Sequence, residues 1–292
     1  MPYYRPTPQE NRIKRIDNTN KKKPKLYVYV HRKIMTQSTE TNYDIEWKLL
    51  DYLLSQSERL QNKPDLILQE IDNFAKDPEH HRMVSNLGPF KTKQIIDQIH
   101  EQDPEVIVQF GTHGAYSCIL AASELRKING DNSTCKVFTF EVDPVYVSIS
   151  SQIIKLSGLQ DFIIAVSGKS GTRIQQLAQK HEIERIDLLL LDQWGDCYLP
   201  DLRVVETLSL ITEGTVIIAD NVLDGGVADY LEYVRSPPIF KREYNFRVKN
   251  VNGFFFLGKW GLLYETETLT DNTEKGVREQ IEITKCVGLL DG

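Results

Sequence analysis

Two short segments carry the residue types that could do chemistry, Leu191-Asp192-Gln193-Trp194 and Ala219-Asp220-Asn221. Each follows an apolar run, Ile186-Asp187-Leu188-Leu189-Leu190-Leu191 and Thr215-Val216-Ile217-Ile218-Ala219, that reads as a buried parallel strand. In open α/β sheets ligands bind beyond the carboxyl ends of the strands. Asp192, Asp220 and Asn221 are therefore expected to meet at one rim. Two carboxylates and an amide oxygen, with room for water and substrate, form the hard-oxygen set that Mg²⁺ or Ca²⁺ takes. The plainer alternative is that both aspartates cap strand-end loops, as Asp often does. Two neighbouring strands offering oxygens together, with Asn221 directly behind, favour a metal-assisted enzyme.

A second group of residues points to a nucleoside cofactor. Gly111-Thr112-His113-Gly114 joins a strand to a helix, where glycines allow a tight turn and close approach of a ligand. The helix N-terminus behind it favours polar or anionic groups. Glu141 ends the next strand, about 30 residues on, where an acid accepts hydrogen bonds from a ribose diol; with Asp143 it could instead cap the following helix. The third glycine of a dinucleotide fingerprint and the lysine of a phosphate-binding loop are both missing. Trp194 suits either a flat aromatic substrate or plain rim packing. His113 reads as a structural hydrogen-bonding residue before it reads as a base.

The elements that must position these groups alternate regularly. Helical spacing covers Asp44–Gln56 and Asp65–Ala75, and Pro89 opens a helix running to about Glu101. Strands are predicted at Val106–Phe110, Val137–Val142, Phe162–Val166, Ile186–Leu191 and Thr215–Ala219. Helices follow them at Ala115–Lys127, Val145–Leu156, Thr172–Lys180, Asp201–Leu210 and Val227–Val234. Five strands with short helical crossovers make a parallel, three-layer α/β sandwich. After Pro237-Pro238 the pattern changes. Tyr244–Val248, Phe254–Leu257 and Ile281–Val287 read as antiparallel edge strands, and residues 266–280 as a polar loop.

The 292 residues are 40% hydrophobic and 26% charged, which suits one globular domain with extensions. The organisation expected is a basic, disordered leader over 1–40 and a single domain over 41–292, with a helical cap (41–103) and an α/β core (104–292). Residues 1–34 hold ten Lys/Arg and two Asp/Glu, whereas the rest holds 25 Lys/Arg against 39 Asp/Glu. The acidic body argues against a nucleic-acid partner. No apolar run approaches the ~20 residues of a membrane span, and no secretory signal is present, so no membrane partner and a cytoplasmic location are expected. The leader leaves mitochondrial or nuclear targeting open, and Met35 is an alternative start. Cys118, Cys135, Cys197 and Cys286 lack zinc-ligand spacing and read as reduced thiols.

With these residues in place, the chain resembles the catechol O-methyltransferases. The matches are Ser85-Asn86-Leu87-Gly88, Phe110-Gly111-Thr112-His113-Gly114-Ala115-Tyr116-Ser117, Glu141-Val142-Asp143-Pro144, Leu191-Asp192-Gln193-Trp194, Asp196-Cys197-Tyr198-Leu199-Pro200-Asp201 and Gly214-Thr215-Val216-Ile217-Ile218-Ala219-Asp220-Asn221-Val222. The resemblance implies a Rossmann-like methyltransferase fold, S-adenosylmethionine and Mg²⁺ as cofactors, a catechol or phenol acceptor, and a monomer. It places Leu87, Gly111, Ser117, Glu141, Ser170, Asp192 and Gln193 around the cofactor, and Asp192, Asp220 and Asn221 on the metal. Asp192, Trp194 and Glu265 fall on the substrate side, with Glu265 binding the second catechol hydroxyl. The chemistry implied is acidification of a metal-bound hydroxyl and in-line attack on the sulfonium methyl.

The departures fall mainly on the substrate side. The family's general-base lysine is Gly195 here, and no nearby lysine is an obvious replacement. Such a base contributes roughly 10²–10⁴-fold. A family histidine is Gln193, an acid before the glycine loop is Gln109, and two substrate gatekeepers fall near Met83 and on Gly225, which predicts a wider pocket. Two alternatives therefore stand beside a catechol methyltransferase: a methyltransferase for a non-catechol acceptor, and a cofactor-binding pseudoenzyme.

Overall fold

The computed structural model describes residues 43–80, 87–131, 133–223, 225–272 and 278–290. The expectations for the leader, for Met35 and for Met83 lie outside these residues. Helices α1 (Asp44–Leu54), α2 (Ser57–Leu60), α3 (Pro64–Ala75) and α4 (Gly88–Gln102) precede the first strand. The alternating region then runs β1 (Val106–Phe110), α5 (Tyr116–Asn129), β2 (Lys136–Glu141), α6 (Pro144–Ser157), β3 (Ile163–Ser167), α7 (Ser170–Gln179), β4 (Leu188–Leu191), α8 (Tyr198–Thr207), β5 (Val216–Ala219) and α9 (Ala228–Arg235). Last come α10 (Pro238–Arg247), β6 (Leu262–Asn272) and β7 (Arg278–Leu289). The strands form one seven-stranded sheet in the order β3-β2-β1-β4-β5-β7-β6. β1 to β5 are parallel, and β7 is antiparallel to both β5 and β6. This is the Rossmann-like, mostly parallel architecture expected, with its antiparallel strands at the C-terminal edge.

Side-chain alternation along the strands divides the core between the two faces. Ile107, Val137, Leu188, Leu190, Val216 and Ile218 pack with α1, α3, α4, α5 and α6. Val108, Phe138, Leu189, Leu191, Ile217 and Ala219 pack with α7, α8 and α9. Both faces of the central strands are buried, which is why those strands read as unbroken apolar runs.

The C-terminal region departs from the reading of its sequence in three places. Tyr244–Val248 belongs to helix α10 and its cap, not to a strand. Pro238 opens that helix, and Lys241 and Asn245, one turn apart, both turn inward. Lys241 lies 4.3 Å from the Tyr264 ring centre, and Asn245 Nδ2 donates to the Tyr233 hydroxyl at 3.1 Å. The Tyr233 and Tyr264 hydroxyls in turn donate to the buried Glu206 carboxylate at 2.7 and 2.6 Å. Aromatic alternation suggested a strand there, but the polar residues decide the conformation. Phe254–Leu257 is a loop framed by Asn250, whose Nδ2 donates to the carbonyls of Pro200 and Phe256 at 2.9 and 3.1 Å. Residues up to Asn272 and from Arg278 are strand, not polar loop. β6 is an edge strand, so its outer positions tolerate the Glu and Thr residues that made it look like a loop.

One clamp fastens the last hairpin beside the rim. Arg235 donates from Nε and Nη2 to the two oxygens of Glu282 at 2.8 Å each, and the Thr268 hydroxyl adds a third bond at 2.6 Å. Burial alone would raise the Glu282 carboxyl, but its bonds from Arg235 and Thr268 hold it below the usual range. A depressed carboxylate stabilises the fold above its unfolded pKa and loses that contribution as pH falls through the folded value. Arg235→Gln is expected to cost about 2 kcal/mol at neutral pH, less than a fully buried pair because the guanidinium is half exposed. The variant and the parent chain should converge in melting temperature as pH falls through the depressed folded value of Glu282, where the carboxylate is lost in both. Thermal melts across that range measure it.

Candidate active site

The loop after β1 brings two strand ends into contact. Gly111 has φ +97°, and a Cβ there would lie 2.2 Å from the Asp192 carbonyl oxygen, so only glycine lets β1 and β4 approach this closely. His113 and Ala115 also adopt left-handed backbone, at φ 42° and 65°. The amides of Thr112 and His113 donate to Glu141 Oε2 at 3.3 and 2.9 Å, and the Asp143 amide donates to its Oε1 at 2.9 Å. Asp143 performs the helix capping, accepting from the Val145 and Tyr146 amides at 2.8 and 3.4 Å. Of the pair Glu141 and Asp143, Asp143 makes the helix cap, and the Glu141 carboxylate lies against the glycine loop.

Gln109, fully buried on β1, fixes the interior of this loop. Its Nε2 donates to Ser117 Oγ at 2.7 Å and also to the Gly111 carbonyl. Its Oε1 is buried with no hydrogen-bond partner among the described residues. A buried acceptor left without a donor is costly, and a cationic amine of a ligand would satisfy it. Farther along the rim, Ser170 Oγ donates to Gln193 Oε1 at 2.9 Å, and Gln193 Nε2 donates to Asp201 Oδ2 at 2.8 Å. Asn252 closes the chain by donating to Asp201 Oδ1 at 2.7 Å. Burial pushes the Asp201 carboxyl up, against the amide donors of Gln193 and Asn252. Ser170 and Gln193, assigned to one end of the cofactor, are thus directly bonded to each other.

The carboxylate site lies past the ends of β4 and β5. Lys91, from the first turn of α4, reaches Asp220 Oδ1 at 2.6 Å and Asn221 Oδ1 at 2.8 Å. Asn221 holds a left-handed backbone, φ 49°, and its amide N–H donates to Asp220 Oδ1 at 2.6 Å. Burial and the neighbouring Asp220 push the Asp192 carboxyl up to about 8, with the Lys91 ammonium opposing them. Among the described residues no three His, Cys, Asp or Glu side chains converge on a metal position. The third donor here is the Asn221 amide. Two crowded, desolvated carboxylates and an amide oxygen remain a set that fits a hard divalent cation.

A cavity joins the two halves of the site. Leu87, Ser117, Asp192, Asp220 and Lys91 line it, together with the apolar side chains of Ile95, Ile218 and Ile281. Lys91 is the functional residue that sequence reading missed. It stands a hundred residues upstream of the strands it serves, and the only signal was its place four residues after Leu87.

Of the sequence-assigned residues, Leu87, Ser117, Asp192 and Asp220 line the cavity, whereas Gly111, Glu141, Ser170, Gln193, Asn221, Trp194 and Glu265 do not. Trp194 is 81% exposed on the rim. Glu265 is exposed and pairs in register with Lys285, which pairs with Val216, the first residue of β5. It therefore lies level with the amino ends of the parallel strands, at the opposite end of the sheet from Ala219 and Asp220. The assignment placed Glu265 just before a polar loop and the Ile281–Val287 strand, whereas β6 continues through it to Asn272.

Gly195 packs against the turn that begins at Gly225: a Cβ on it would lie 2.7 Å from Val227 Cγ1. Gly195→Lys is expected to lose about 1–3 kcal/mol by overpacking. It should lower the melting temperature, and a variant of unchanged melting temperature would contradict this.

A catechol O-methyltransferase from Bos taurus is 33% identical over 197 residues, covering 67% of this chain and 68% of that protein. Catechol O-methyltransferase B from Danio rerio is 34% identical over 181 residues, covering 62% of this chain and 65% of that protein. The matched span is thus about two thirds of the length of these curated relatives. An O-methyltransferase from Bacillus cereus, solved in complex with SAH, shares the fold with a TM-score of 0.51 and 18% identity, over 82% of this chain and 99% of that one. No protein-family model matches the chain.

Proposed function

The chain belongs to the catechol O-methyltransferase family of methyltransferases, and on that premise we propose that it transfers a methyl group from S-adenosylmethionine to a hydroxyl of a catechol-like small molecule with Mg²⁺ as cofactor. The observation that carries this reading is the shared cavity, in which Leu87 and Ser117 of the cofactor side face Asp192 and Asp220 of the oxygen cluster. Glu141 would take the ribose diol, the backbone at Gly111 and Leu87 the methionine part, and Ser170 with Gln193 the adenine. The unpaired Gln109 Oε1 would accept from the methionine ammonium, a role open to an amide as well as to an acid. Asp192, Asp220 and Asn221 would hold the cation.

When bound, the cation supplies Lewis acidity that lowers the pKa of a hydroxyl and the sulfonium supplies the methyl group. This chain's own contribution is positioning and charge. Lys91 is a positioning residue: its two bonds orient Asp220 and Asn221, and its charge offsets the crowding of Asp192 against Asp220. The exposed Trp194 leaves the acceptor side open, which favours a broad choice of acceptor over a selective one.

Calorimetric binding of S-adenosylmethionine, followed by rates on paired acceptors, tests this reading. Glu141→Ala should weaken cofactor binding about tenfold or more through the lost charged hydrogen bonds. A vicinal diphenol should require the cation, whereas a monophenol has no second oxygen to chelate it. Equal turnover of both acceptors in EDTA would overturn the catechol assignment, and an unaffected Glu141→Ala variant would overturn the cofactor pose.

A further inference from the structure

The segment after α9 exposes far more apolar surface than its surroundings. Ile239, Phe240, Phe246, Val251, Phe254 and Phe255 fall within 17 residues, and all are more than half exposed. Phe246, Val251 and Phe254 reach 69%, 79% and 78%. An exposed apolar concentration of this kind usually marks an interaction surface.

The exposure belongs to a built frame. Buried Arg203 donates to the carbonyls of Asn245 and Val248 at the end of α10, at 3.3 and 2.9 Å, and to Leu257 beyond the loop at 3.1 Å. One guanidinium therefore gathers both ends of the loop. Asn250 ties its middle to Pro200 and Phe256, and Asn252 ties it to Asp201. Phe256 turns into the core, whereas Phe254 and Phe255 point outward. Around α10, Lys241 and Asn245 face inward, leaving Ile239 and Phe246 on the outer face, seven residues or two turns apart. Exposed Arg242, Arg247 and Lys249 interleave with these side chains, and Glu243 is the single acid among them.

We propose that α10 and the 249–257 loop form a docking surface for an anionic lipid bilayer, with the aromatic side chains entering the headgroup region and the Arg and Lys side chains meeting lipid phosphates and carboxylates. Charge complementarity selects this occupant. A second copy would bring the same three cations face to face, and an uncharged surface would leave them uncompensated. Aromatic residues favour the membrane interface, basic residues near an anionic leaflet add to the attraction, and a bilayer requires no shaped groove. Excluding a membrane partner from the sequence rested on the length of a spanning helix, and no described helix is long and apolar enough to cross a membrane. Lying on the surface is a different requirement.

The test is sedimentation of the full chain with vesicles of phosphatidylcholine alone and of phosphatidylcholine mixed with phosphatidylserine. Binding is expected to the mixed vesicles and to weaken as salt rises. F246S/F254S/F255S should lower the partition coefficient about tenfold or more, with an unchanged thermal melt because these side chains lie outside the core. R242Q/R247Q/K249Q should weaken binding at low salt and lessen its salt dependence. The basic leader is retained in both variants. Absence of binding to mixed vesicles would overturn the proposal. So would a phenylalanine variant that binds as tightly as the parent, or one whose only change is loss of a dimer.

Discussion

Asp192→Asn is expected to lose methyl transfer by roughly 10²–10⁴-fold, the equivalent of several kcal/mol of cation-dependent stabilisation, while its metal-free fold becomes the more stable of the two at high pH. The sign follows from the carboxyl itself. Burial and Asp220 push Asp192 up to about 8, with Lys91 opposing, whereas an unfolded aspartate titrates near ~4. A carboxyl raised on folding contributes stability that is full below the unfolded value and is lost as pH rises through the folded one. The parent chain without metal should therefore become less stable between about pH 4 and pH 8 from this group. The amide variant has no such proton to lose. Melts in EDTA at pH 5 and pH 9 check the stability half, and initial rates with saturating Mg²⁺ check the catalytic half. Because the cation must displace a proton from Asp192, its affinity should also fall as pH drops below about 8. A variant that keeps its rate would remove Asp192 from the metal site.

Lys91→Met is expected to produce the largest loss of metal-free stability. The ammonium sits 2.6 Å from Asp220 and 2.8 Å from Asn221, and the side chain is almost wholly buried. Removing one partner of a buried ion pair costs about 3–5 kcal/mol, because the charge left behind is uncompensated. For a domain of this size that corresponds to a melting temperature lower by roughly 10 °C. Mg²⁺ should restore more stability to the variant than to the parent, since it binds a site that has lost its resident cation. Melts with and without Mg²⁺ give both numbers. A variant whose melt matches that of the parent, or whose response to Mg²⁺ is smaller, would show that Lys91 is not the counter-charge of the cluster.

Much of the scaffold was legible because its physics is local. Leu188–Leu191 and Val216–Ala219 are apolar on both faces, which marks a central parallel strand, and the Asp that ends each run lies at the rim for the same reason. Gly111 was legible as a turn, though not the 2.2 Å approach that makes glycine obligatory there. What failed depended on partners distant in sequence. Lys241 and Asn245 make α10 a helix through Tyr264 and Tyr233, none of which periodicity can reveal. β6 hid behind polar residues because an edge strand need bury only one side, and that in turn misplaced Glu265. Nothing local in the sequence singles out Lys91, and only the fold brings the first turn of α4 over the ends of β4 and β5.

The most direct measurement is transfer of a labelled methyl group from S-adenosylmethionine to a vicinal diphenol by the full chain, run in parallel with Mg²⁺ and with EDTA. Labelled product with Mg²⁺ that disappears in EDTA is the predicted result. Equal product under both conditions, or bound cofactor without product across catechol and phenol acceptors, would contradict it.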